Sequence, residues 1–161
     1  MYESNYITRF NNIEYTNLAD YIINNSGLDK ETLDDKLWAT DRICTIMEIL
    51  ISRYKALQVV DAGGRYPEWF EVMILAALMY NIEYDENAKY SSLYKPREKY
   101  EKIATELGIT TSKQEMIFQI VESANGMWGP VKMKPMPDSP QEMFVLAIWI
   151  FKTQFSWETN L

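Results

Sequence analysis

The sequence predicts an all-α fold, a compact multi-helix bundle. Three observations predict it. Apolar residues recur at helical spacing in several segments, as at Ile43, Met47, Leu50 and Ile51, and at Met116, Ile117, Ile120 and Val121. Two stretches, Ser112 to Glu115 and Ser139 to Glu142, have the Ser-x-x-Glu form of a helix-opening capping box. No segment alternates apolar and polar residues as a half-buried strand does. A hydrophobic content of 47% and an aromatic content of 14% in 161 residues suffice for one domain with a sizeable core.

The elements follow in order. Residues 17–25 read as a short helix that stops near Gly27. Residues 32–35 open a second short helix. Thr40 or Asp41 then caps a longer one through about residue 57. Gly63 and Gly64 mark a turn, and Pro67 stands in the first turn of a helix over 68–82. Pro96 opens the next helix, and Gly108 ends it. Helices follow behind each capping box, the last running to about residue 155. Between them, residues 132–137 (KMKPMP) form an extended link, because the residue before each proline is pushed out of the α region.

Composition removes several chemistries. The chain has no histidine, so it lacks the commonest general base and transition-metal ligand, and any Ser-His or Cys-His nucleophile system. Its one cysteine, Cys44, excludes an internal disulfide and a cysteine-based zinc knuckle, and fits a reducing compartment. The apolar runs 72–79 and 143–151 are short of the roughly 20 residues a bilayer span needs, and the first residues lack the pattern of a secretory signal. The expected compartment is the cytoplasm.

A net charge of −7 disfavours free nucleic acid and anionic membranes and favours a protein partner with a basic surface. Acids cluster over 56–88, where Asp61, Glu68, Glu71, Glu83, Asp85 and Glu86 face only Arg65. The balance reverses over 89–102, with Lys89, Lys95, Arg97, Lys99 and Lys102 against Glu98 and Glu101.

Several pieces occur in a telling order. A helix around RICTI precedes AALMYNI, then YKPRE and a helix ending in ATELGI, then IVESANGMWGP, a proline-containing link and SPQEMFVLAIWIF. This order, over about residues 40–155, resembles the HD-domain superfamily of metal phosphohydrolases, in particular a bacterial and phage-type branch. The most specific piece is SANGMWGP, residues 123–130, similar to that branch's Trp-Gly loop. Length makes 1–161 a single domain, and the resemblance divides it into a helical extension over 1–38 and an HD-like core over 39–156.

The resemblance also assigns the family's metal ligands to positions in this chain. They fall on Cys44, on Tyr80 and Asn81 for the His-Asp doublet, and on Lys95, Ala124 and Ile148. None keeps the family's residue. Phenol and amide are poor ligands, Ala and Ile offer none, and a lysine ammonium repels a cation. The family's reaction needs a metal to activate water and neutralise phosphate charge. The resemblance thus implies the fold, and these residues imply a pseudoenzyme with a plugged metal centre and no cofactor.

Three functions follow as expectations. The first is a non-catalytic binding factor that meets a basic protein through Asp34, Asp35, Asp61, Glu83, Asp85 and Glu86. The Asn-, Ile-, Tyr- and Lys-rich composition resembles phage proteins of low-GC Gram-positive hosts. It implies a host protein of transcription or replication as partner, with no direct contact to nucleic acid. The second is a nucleotide-holding pseudoenzyme, with a pocket of Arg42, Tyr80, Lys95, Arg97 and Trp128. The third is a hydrolase with a rebuilt carboxylate metal site at Glu83, Asp85 or Glu122.

Overall fold

A computed structural model describes residues 7–53, 66–84, 96–126 and 140–159. Among them lie seven helices and no strand: α1 (Ile7–Asn11), α2 (Thr16–Asn24), α3 (Lys30–Arg53), α4 (Tyr66–Glu83), α5 (Pro96–Glu106), α6 (Thr111–Gly126) and α7 (Pro140–Thr159). The chain is all-α, as its periodicity predicts.

Helix α4 is the centre. Residues 72–82 are all buried, on every side of the helix. A helix that is apolar all round has no face to give to water, so it must be enclosed. It packs against α2, α3, α6 and α7. Ala76 and Ala77, both fully buried, let neighbours approach closely. Helix α3 packs against α4 and α7, α6 also packs against α4 and α7, and α4 meets α7 across the ring these four helices form. Outside it, α5 lies on α6, and α1 lies on α2.

Two expected boundaries move. Instead of a short helix at 32–35 and a longer one capped at Thr40 or Asp41, a single α3 runs unbroken over Lys30–Arg53. Asp29 caps it, its Oδ1 accepting the Thr32 N–H at 2.7 Å. Thr40 is buried inside the helix, where its hydroxyl donates to the Lys36 carbonyl at 2.8 Å, one turn back. A β-hydroxyl within an apolar pattern can cap or back-bond, and the unbroken apolar stripe of Leu33, Leu37, Cys44 and Met47 decided for the second. The boundary expected at 38/39 therefore falls within α3. Phe10, Leu18, Ile22, Ile23, Leu33 and Leu37 belong to the same hydrophobic cluster as Met47, Leu78 and Phe144.

The other move is at α6. The capping residue is Thr110, whose Oγ1 accepts the Lys113 N–H at 3.3 Å, and not Ser112. Glu115, expected to close a box with Ser112, is bound by Arg97 instead. The α5 exit matches expectation. Gly108 takes φ +83°, the Ile109 N–H reaches the Ala104 carbonyl at 3.0 Å, and the Gly108 N–H reaches the Thr105 carbonyl at 3.0 Å. This is the paired 6→1 and 5→2 arrangement of a Schellman C-cap. The buried Gln114 amide then donates to the Ile109 carbonyl at 2.8 Å and to Thr105 Oγ1 at 3.1 Å, holding the α5–α6 corner.

The expected turn at Gly63 and Gly64 and the link over 132–137 lie outside the described residues, as do Asp61, Asp85, Glu86, Lys95 and Trp128.

Candidate functional site

The positions to which the resemblance assigns a metal centre sit on four helices: Cys44 on α3, Tyr80 and Asn81 on α4, Ala124 on α6 and Ile148 on α7. Cys44, Ala124 and Ile148 are fully buried, and Tyr80 is 2% exposed. The sequence of each helix explains this. Each position lies among buried neighbours on its own helix, such as Ile43 and Met47, Ile120 and Val121, or Phe144 and Ala147.

Tyr80 lies where α4 meets α7. The Tyr80 ring meets Phe144 edge-on at 6.0 Å between centroids, and Lys152 Nζ lies 5.8 Å from the same ring. Phe144 and Lys152 stand one turn before and one turn after Ile148, so all three share one side of α7. Tyr84 stacks on Tyr80 at 5.5 Å, and the Lys152 ammonium sits 4.0 Å over the Tyr84 ring. The Tyr80 ring is thus engaged by an aromatic face, an aromatic edge and a cation. It is not laid open to stack on a base.

Asn81 turns its side chain back on its own helix, Nδ2 donating to the Ala77 carbonyl at 2.8 Å. Its backbone carbonyl accepts Lys36 Nζ at 2.9 Å, and the Tyr84 carbonyl accepts the same ammonium at 2.6 Å. A cation here meets the carbonyls that a helix C-terminus leaves without intrahelical partners, at its negative end. Cys44 lies toward α1. Burial pushes its thiol up to about 12, with Asp41 and Glu48 adding to the rise and Arg9 opposing it. A thiol held protonated is neither nucleophile nor ligand.

The charged candidates are largely engaged within the fold. Arg97, expected to meet phosphate, holds two carboxylates on α6. Its Nη2 donates to Glu115 Oε1 at 2.7 Å and to Glu122 Oε2 at 3.3 Å, and its other nitrogens also bind Glu115 and Glu122. The Arg97 guanidinium, helped by the Gln119 amide, holds the Glu115 carboxyl down at about 2. Glu83, expected on a free acidic face, pairs with Lys99 and accepts the Tyr100 hydroxyl. Arg42 is exposed and lies 5.6 Å over the Trp38 ring, which in turn meets Phe151 at 5.9 Å. Asp35 is exposed and Asp34 half-buried on the first turns of α3.

Sequence reading missed several residues that hold these elements together. Arg9 ties α1 to α3 through Asp41 at 2.8 Å, Thr45 Oγ1 at 3.2 Å and Glu48. Lys36, Tyr84 and Lys152 close the far end of α4. No local pattern signals such partners, which lie 32 to 48 positions away for Arg9–Asp41 and Lys36–Tyr84. Among the described residues, no three His, Cys, Asp or Glu side chains gather into a group that could hold a metal ion. No helix there is long and apolar enough to cross a membrane. The large hydrophobic side chains most exposed among them are Ile49, at 50%, and Trp149, at 49%.

Comparison with protein-family models, with curated proteins and with solved structures gives no match.

Proposed function

We propose that this chain is a non-catalytic, acidic protein-binding factor on an HD-like helical scaffold. Its partner carries a basic surface, as a nucleic-acid-handling protein of a bacterial host would. The observation that carries the reading is the closure of the former ligand positions. Cys44, Tyr80, Ala124 and Ile148 are at most 2% exposed, so the working part of the molecule is its surface. That surface belongs to a chain of net charge −7, and an acidic face both speeds and orients association with a basic partner.

The nucleotide-holding alternative draws no support from two of its expected residues. The Tyr80 ring is buried, stacked on Tyr84 and edge-to-face with Phe144, and Arg97 is already neutralised by two glutamates. The carboxylate-metal alternative loses Glu83 and Glu122 to Lys99 and Arg97 in the same way.

The test is an affinity capture from bacterial lysate with the tagged full chain at low and at high salt. One stoichiometric basic-surfaced protein, retained at low salt and released at high salt, is the expected result. Capture of nothing at either salt would overturn the reading, as would turnover of a phosphoester by the purified chain.

A further inference from the structure

The outward side of α3 is unlike an ordinary solvated helix face. Glu31, Asp35, Trp38, Arg42, Ile46 and Ile49 recur at steps of three and four, which places them along one side of the helix. The opposite side carries Leu33, Leu37, Cys44, Met47 and Ile51, all buried in the core. Along the outward seam Glu31, Asp35 and Arg42 are exposed, Trp38 and Ile46 are half-buried, and Ile49 is half exposed. From Ile43 through Ile51 α3 is apolar except at Thr45 and Glu48, which meet Arg9. Yet Ile49 meets water there.

Charge is divided along the same helix. Its first turns hold Glu31, Asp34 and Asp35 behind the Asp29 cap, against Lys30 and Lys36. Lys36 is already committed to the end of α4. The seam therefore runs from an acidic end, past Arg42 stacked on Trp38, to an apolar end over a helix roughly 36 Å long.

Resting on the protein-binding reading above, we propose that the outward face of α3 docks an amphipathic α-helix of the partner. The basic end of that helix meets Glu31 and Asp35, and its apolar end covers Ile46 and Ile49. Two helices seat this way when residues at steps of three and four interdigitate. The ion pairs set direction and on-rate, while the covered isoleucines hold the complex.

The probe is a fluorescent synthetic helix with lysines at one end and leucines at the other, beside a copy with glutamates for the lysines. Binding to the full chain is read by anisotropy. The expected result is preference for the lysine peptide, weakened on the order of tenfold by Asp35→Lys and by Ile49→Glu. Glu106→Lys, the same charge change at an exposed site on α5, should leave it within about twofold. Equal weakening by all three variants, or no preference between the peptides, would overturn the proposal. So would a wild-type dimer in sedimentation that Ile49→Glu disperses, since the occupant would then be a second copy. The lysate capture separates this failure from that of the broader reading. A partner retained by Asp35→Lys and Ile49→Glu rejects the α3 seam alone, whereas a wild-type chain that captures nothing rejects both. Far-UV circular dichroism checks that each variant keeps its helices.

Discussion

The Lys36 ammonium donates to the Tyr84 carbonyl oxygen at 2.6 Å, joining α3 to the last turn of α4 across 48 positions of sequence. The same nitrogen reaches the Asn81 carbonyl at 2.9 Å. One cation thus satisfies two carbonyls at the end of a helix that is otherwise enclosed by apolar neighbours.

Replacing Lys36 by Met keeps most of its stem and removes the charge. The loss should be about 1–2 kcal/mol, the range for a partly buried cation at a helix C-terminus. Lys36→Arg should recover part of it. Urea denaturation of the three proteins measures the difference, and identical midpoints for wild type and Lys36→Met would remove this contact from the account of the fold.

Ile148 is fully buried on α7. Ile148→Asp places a carboxylate at a fully buried position of the hydrophobic core and should destabilise by about 3 kcal/mol or more. Ile148→Val, which removes one methylene, should cost about 1 kcal/mol. Thermal and urea unfolding report both. A native-like stability for Ile148→Asp would mean that water reaches this position, contrary to its full burial.

Cys44 should be silent toward a disulfide reagent in the native protein. Its thiol is fully buried and pushed up to about 12 by that burial, so almost no thiolate exists near neutral pH. Labelling with an aromatic disulfide should go to completion only in denaturant. Rapid stoichiometric labelling of the folded chain would contradict the full burial of Cys44.

Acid should weaken the α5–α6 contact through Glu115. Arg97 lowers its carboxyl from an ordinary 4.5 to about 2 in the folded state. The unfolded chain therefore takes up a proton first, and stability falls as pH drops from about 4.5 toward about 2. Stability from this group is fully present above that window. Glu115 is solvent-accessible, so the slope should be shallow and reduced by salt. NMR titration of wild type and Arg97→Gln checks it, with the Glu115 midpoint rising toward its ordinary value in the variant.

The sequence by itself determined the helical class, the Pro96 and Pro140 starts and the Gly108 stop. Those features are local: a fixed φ, an absent Cβ penalty, a 3.6-residue apolar repeat. It also determined that the six positions assigned to a metal centre carry no histidine or carboxylate. Tertiary structure decided the rest. Thr40 and Ser112 satisfy a capping pattern as well as Asp29 and Thr110 do, and only packing of the unbroken α3 stripe and the hold of Arg97 on Glu115 chose between them. Whether Glu83 and Arg97 face a partner or each other's neighbours was equally undetermined by composition. Charges find partners through space, and Lys99, Tyr100, Glu115 and Glu122 came within reach only when α4, α5 and α6 were packed.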